Sequence, residues 1–316
     1  MSASGARRAI RVILHSGLGN QMFQYAAAKA LAVERGCELL IDPVTGFRDD
    51  PFRRRYELGA FRLTSPCLPV AHVPARSLWT RLMCRATREL ETAAIRHRGS
   101  YYLPWLQKVS FRCAGVLFGY WPSPRYFQKI ETSLREELRL RQAPAAALRQ
   151  WAERLQSSES VALHIRLRHA ESESGEVVSP RLAEPGRQEA LLQYYRAAIA
   201  CLKNKVRDPF WFVVSDSDRF DPGAVGLPRE TPVVCGDSSR PPAEDLWLLS
   251  QAKHKIIGPS TFGWWGAWLS GPGGGTVCVP RVFRPGGSRR PAVDAYPAHW
   301  IKLEDSASPQ QVGCIP

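Results

Sequence analysis

The sequence predicts an α/β protein built on open parallel sheets flanked by helices. Three observations carry this. The chain opens with strand, glycine loop, helix and strand in succession, and its second half alternates strand-length apolar runs with helical stretches. Its 316 residues are also enough for two domains of ordinary size. Two such sheets set a cleft between them, and ligands of α/β sheets sit beyond the carboxyl ends of the strands.

Taken in order, AIRVIL (9–14) is an apolar run of strand length and HSGLG (15–19) is a loop. From Asn20, which suits a helix N-cap, the residues Phe23, Ala26, Ala27, Ala30 and Leu31 recur at helical spacing. Gly36 suits the position just past the helix end. CELLI (37–41) reads as the second strand, which makes the unit a βαβ crossover of right-handed sense. Residues 43–115 are less regular and rich in Arg and Pro. KIETSLREELRL (129–140) reads as a charged amphipathic helix, and RQAPAAALRQ (141–150) as a bridge between domains expected at 1–150 and 151–316. Beyond it, SVALHIRL (160–167), PFWFVVS (209–215), TPVVC (231–235), HKIIG (254–258) and GTVCVP (275–280) are strand candidates. Helices are expected at 187–204, with Leu191, Tyr195, Ala198 and Leu202 on one face, and at 244–253.

Composition bounds the function. No apolar run approaches the roughly 20 residues of a membrane span. The start, MSASGARRAIRVIL, has no signal-peptide core or cleavage pattern. The eight cysteines (Cys37, Cys67, Cys84, Cys113, Cys201, Cys235, Cys278 and Cys314) show no CxxC and no Cys/His pairing. Zinc or a disulfide framework is therefore not expected, and reduced thiols in the cytoplasm fit best. A net charge of +14 implies attraction to something anionic, a solvated basic surface being the plainer reading, and much of the excess lies between FRRRYEL (52–58) and IRHRGS (95–100). No nucleic-acid-binding motif accompanies it, so a phosphorylated substrate or an anionic membrane face is favoured over nucleic acid.

Four stretches could carry chemistry. HSGLGNQ follows a strand and opens a helix, so Gly17 and Gly19 would let the backbone approach an anion. It lacks the third glycine of a dinucleotide fingerprint and the lysine of a P-loop, and a tight turn without ligand is the plainer reading. ALHIRLRHAESESGE (162–176) ends a strand with His164 and Arg166 on one face, followed by Arg168, His169, Glu171, Glu173 and Glu176. An arginine there can grip a phosphate through paired N–H groups, and the carboxylates could take a proton from an acceptor hydroxyl. In KIIGPSTFGWWGAWLSG (255–271), Ser260 and Thr261 fall between strand and helix, where hydroxyls and free amides meet phosphates. Its tryptophans are expected in the core. FVVSDSDRF (212–220) sets Asp216 and Asp218 just past a strand, the pattern of a metal-binding carboxylate pair.

The blocks GLGNQMFQYAAAKALA, YELGAF, GYWPSPRYF, VALHIR, FVVSD and DLWLLSQAKHKIIGPSTFGWWGAWL occur here in one order. That order resembles the α-1,2-fucosyltransferase family, notably its bacterial members. The resemblance implies a GT-B-like fold, two Rossmann-like domains whose parallel sheets face a central cleft. The domain at 1–150 would take the acceptor and the one at 151–316 the donor, GDP-fucose. It further implies inversion at the sugar carbon, no cofactor and no metal, with Asp216 and Asp218 outside any metal site. By position, donor-binding residues would be Gly17, Gly19, Asn20, Gln21, His164, Arg166, Arg168, Asp216, Asp245, Ser260 and Thr261. Trp121 and Arg125 would touch the acceptor. Arg166 would stabilise the leaving phosphate, with Glu173, Glu176 or His169 as base. The family's HxRRGD motif is altered, since Leu167, Arg168 and His169 replace its last residues, and His15 and Ser16 stand where two glycines are usual.

The implied reaction moves fucose to the 2-hydroxyl of a terminal galactoside in a surface glycan. The acceptor would be lipid-linked, and the enzyme cytoplasmic with peripheral contact at an anionic inner membrane. The alternatives are a transferase with another linkage or nucleotide sugar, and a non-catalytic glycan- or nucleic-acid-binding relative.

Overall fold

A computed structural model describes residues 9–72, 82, 85–86, 101–103, 115–166, 187–216, 220–236, 240–273, 275–281 and 293–304. The chain divides into two compact units, Met1–Arg141 with Ala292–Pro297 and Gln142–Pro291 with Ala298–Pro316.

The first unit carries β1 (Ala9–Ile13), α1 (Leu18–Arg35), β2 (Glu38–Asp42) and the two-residue β3 (Val116–Leu117). Its strands run parallel in the order β2-β1-β3. The helix starts ahead of Asn20. Gly17 is the N-cap, and its carbonyl accepts from the N–H of Asn20 at 2.9 Å and of Gln21 at 3.1 Å. A side chain at Gly17 would crowd Arg54, whose Nη1 lies 3.3 Å from where a Cβ would sit. At the other end Gly36 takes φ 59°, the left-handed turn that ends many helices.

Several buried polar groups in this unit are paired. Arg11 forms an ion pair with Asp42. Burial pushes the Asp42 carboxyl up, but hydrogen bonds from Thr45, Arg11 and Val44 outweigh it and hold the group below the usual carboxylate range. Tyr25 on α1 donates to Glu137, which also accepts from Thr64 at 2.6 Å and meets Lys29 at 3.0 Å. That network ties α1 to α2 (Glu131–Glu137). The helix expected over 129–140 is shorter because Leu140 leaves it to bridge Phe61, with Arg141 N–H donating to Ala60 O at 2.8 Å. Asp294 completes the unit, accepting the N–H groups of Tyr101 and Tyr102 at 2.7 Å each, while its carbonyl accepts the Ser123 hydroxyl at 2.8 Å.

The second unit begins with α3 (Ala146–Gln156) and β4 (Ser160–Ile165). It continues through α4 (Arg187–Lys203), β5 (Phe210–Ser215), β6 (Val233–Cys235), α5 (Pro242–Gln251) and β7 (His254–Ile257). It closes with α6 (Thr261–Trp268), β8 (Val277–Pro280) and β9 (Ile301–Leu303). Six parallel strands lie in the order β6-β5-β4-β7-β8-β9.

Alternation along the central strand builds two cores. Val161, Leu163 and Ile165 pack with Tyr194, Tyr195, Ala198 and Leu202 of α4. Ala162, with Phe212 and Val214, packs against Leu148, Ala152 and Leu155 of α3 and Leu248 of α5. The start of the second unit ahead of α3 follows from that contact. Trp264, Trp265 and Trp268 of α6 are buried, their rings stacked or edge-on at 5.0–6.2 Å. They pack in the core, as expected. Among the described residues no helix is long and apolar enough to cross a membrane.

Candidate functional site

In the second unit the chain steps outward from β4 through β5 to β6, then returns to the other side of β4 for β7, β8 and β9. The order therefore reverses between β4 and β7. Loops leaving their carboxyl ends part in opposite directions, and ligands of open α/β sheets occupy the crevice this leaves. His164 and Arg166 end or follow β4, and Ser260 and Thr261 follow β7.

Ser260 is the N-cap of α6, yet its hydroxyl makes no capping hydrogen bond. The hydroxyl is buried and has no partner among the described residues. The same holds for Nδ1 of His164, a side chain 5% exposed on the adjacent strand. Burial, reinforced by the charge of Arg166, presses the His164 pKa down to about 3. His164 is thus a neutral imidazole that can offer a hydrogen bond and no charge. Its ring stacks on Phe262 at 5.2 Å, and a Cβ on Gly263 would lie 2.7 Å from Nδ1. Glycine in the first turn of α6 is what admits the ring. Two buried, unsatisfied polar atoms beside the N-terminus of a helix form a place where a bound anion would repair a deficit.

The positive charge comes from Arg166, which is exposed and lies 3.8 Å from Asp216 at the end of β5. Asp245, in the first turn of α5, is buried and held by Arg240 at 2.6 and 3.0 Å, while Arg240 also donates to Cys235 O. A carboxylate so engaged is structural in the first instance. In the first unit, Gln21 is fully buried and its amide is spent on Ser16 O at 2.8 Å, Arg55 O at 2.9 Å and Glu57 N–H at 2.9 Å. It fastens the glycine loop instead of facing a ligand. Asn20 donates to the Ser16 hydroxyl at 2.9 Å, and Gly19 is buried. Trp121 is also buried, at φ 44°, so its ring is core, whereas Arg125 is exposed and sits over the Tyr102 ring at 4.4 Å.

Arg168, His169, Glu171, Glu173, Glu176 and Asp218 lie outside the described residues. Among the described residues no group of three or more His, Cys, Asp or Glu is placed to hold a metal. Sequence reasoning missed Phe262, Gly263 and Arg240. A glycine inside a helical pattern was the available signal for Gly263; nothing local pointed to the others.

A doubly wound parallel sheet with a crevice at its point of reversal defines the Rossmann-like class of α/β domains. Within that class the chain belongs to Glycosyl transferase family 11, whose sequence model matches residues 3–304. It is a glycosyltransferase. It is 27% identical over 301 residues to an α-1,2-colitosyltransferase of Escherichia coli, covering 92% of this chain and 97% of that one. It is 26% identical over 313 residues to the bovine (Bos taurus) galactoside α-(1,2)-fucosyltransferase 1, covering 93% and 75%. The fucosyltransferase NodZ from Bradyrhizobium aligns over 83% of this chain and 93% of its own, with a TM-score of 0.46 at 15% identity.

Proposed function

We propose that the protein is an inverting α-1,2-fucosyltransferase that moves fucose from GDP-fucose to the 2-hydroxyl of a terminal galactoside in a surface glycan, without a metal. The observation that carries this reading is the pair of buried, unpartnered polar atoms, Ser260 Oγ and His164 Nδ1, beside the start of α6. Family membership and the α-1,2 linkage named for both relatives support it.

In the proposed reaction the acceptor oxygen attacks the anomeric carbon and GDP departs with the electrons of the sugar–oxygen bond. Arg166 and the N–H groups opening α6 stabilise the charge growing on the β-phosphate, an effect that commonly dominates catalysis. The acceptor proton passes to Glu173, Glu176 or His169. The diphosphate draws Arg166 away from Asp216, and Arg168 supplies a second positive charge. Arg125 is the proposed acceptor contact. A colitosyl donor is the second reading, favoured by the name of the Escherichia coli relative. The exposed Arg53, Arg55 and Arg62 support peripheral contact with an anionic membrane on the cytoplasmic side. Vesicle pelleting indifferent to salt and to anionic lipid would count against that contact.

The test is GDP release from GDP-fucose with a lactose or type-1 disaccharide acceptor, with and without EDTA, followed by a donor panel. Acceptor-dependent release that survives EDTA is expected; release abolished by EDTA and restored by Mn²⁺ overturns the metal-free mechanism. Arg166→Ala should lower turnover by about 10²-fold or more, as loss of an anion-stabilising donor does, and far more than Glu171→Ala. Equal rates in the two variants would remove Arg166 from the phosphate.

A further inference from the structure

We infer that Tyr195 is a positioning residue for the donor site, its phenol tying the end of β4 to the turn that opens α6. This rests on the reading above, that the donor diphosphate sits at that edge of the sheet.

Helix α4 sets Tyr194 and Tyr195 side by side, both buried, with ring centroids 5.2 Å apart. Both hydroxyls reach the carboxyl ends of strands. Tyr194 Oη lies 2.8 Å from Ile257 O and 2.9 Å from Cys278 O, at β7 and β8. Tyr195 Oη donates to His164 O at 2.7 Å. On its other side is Gly258, where a Cβ would stand 2.4 Å from the phenol oxygen. The Gly258 N–H approaches the same oxygen, opposing the rise in pKa that burial and the nearby Asp216 impose on the phenol.

One oxygen thus touches the main chain just before Arg166 and just before Ser260. These are the two groups that must grip one diphosphate from neighbouring strands. Parallel pairing does not fix them, because the β4–β7 register ends at His164 and Ile257. Past that point the phenol bridges the two main chains, beside the stacking of His164 on Phe262, and positioning errors near 1 Å at such sites are costly. Ser160 makes the matching bridge at the amino end of the same strand pair. It is fully buried, donates to Leu155 O at 2.6 Å and accepts from Lys253 N at 2.9 Å.

The experiment compares Tyr195→Phe with Ser160→Ala in the full chain, by thermal unfolding and by titration with GDP. Each loses one buried bridging hydroxyl, so both should lower Tm. Only Tyr195→Phe should weaken GDP, by roughly tenfold, the equivalent of one good hydrogen bond. The double variant Tyr195→Phe/Gly258→Ala guards against mere loosening. Without the hydroxyl, the nearest ring atom to the new methyl is Cζ at 3.4 Å, an ordinary contact. It should recover Tm while GDP stays weak. Wild-type affinity in Tyr195→Phe, or an equal loss in Ser160→Ala, overturns the inference. A wild-type protein with no affinity for GDP overturns the donor reading, and this inference with it.

Discussion

Replacing Lys255 with methionine should stabilise the protein at neutral pH and remove a pH dependence from its stability. Lys255 lies on β7 with no exposed surface, its ammonium donating to Ala252 O. Burial lowers its pKa from 10.5 to about 7. At about 1.4 kcal/mol per unit, this corresponds to about 5 kcal/mol of proton-linked cost. The folded pKa lies below the unfolded one, so between about pH 7 and 10 the unfolded chain holds more protons. Stability from this group therefore rises with pH across that window and is flat below it. Methionine has similar length and no charge. Urea unfolding at pH 7 and pH 9 should show Lys255→Met ahead of wild type at pH 7, with the lead shrinking by about 2 kcal/mol at pH 9. A lead that does not change with pH would refute the reasoning.

Two further substitutions probe the units separately. Gly266→Ala would put a methyl 2.4 Å from Leu249 Cδ2, across the α5–α6 contact, and should cost about 1–3 kcal/mol in thermal unfolding; an unchanged Tm would show that the helices can part freely. Asp42→Asn should cost about 1.5–3 kcal/mol at pH 7 through the weakened Arg11 pair. Because the Asp42 pKa is lowered on folding, its contribution is present above the unfolded pKa near 4 and fades as pH falls through the folded value. The gap between variant and wild type should therefore close in acid, and a gap that persists there would sink the assignment.

The element types were legible because periodicity records burial. Leu191, Tyr195, Ala198 and Leu202 fall on one face of α4, and β5 opens on five apolar residues in succession, Phe210 to Val214. Strand order was not legible, since a parallel strand carries no mark of its neighbour. The site was legible at Arg166, Ser260 and His164 as positions at strand ends. Its chemistry was not. Whether a polar group is spent or spare depends on distant residues: Gln21 is consumed by Arg55 and Glu57, while His164 is enclosed by Phe262 and Gly263. Asn20 illustrates the same point, a residue of capping type whose amide is taken by Ser16 and whose helix is capped by Gly17 instead.

The carboxylate of Asp294 gives the chain an order of assembly. The Tyr101 and Tyr102 N–H groups belong to the part of the molecule made first, and their acceptor stands 193 residues after Tyr101. On a ribosome adding roughly 5–20 residues per second, that interval is about 10–40 seconds. Nearly all of the second unit is synthesised within it. The first unit to emerge is therefore among the last to close, and a chain stopped anywhere between Gln142 and Pro291 leaves both halves unfinished.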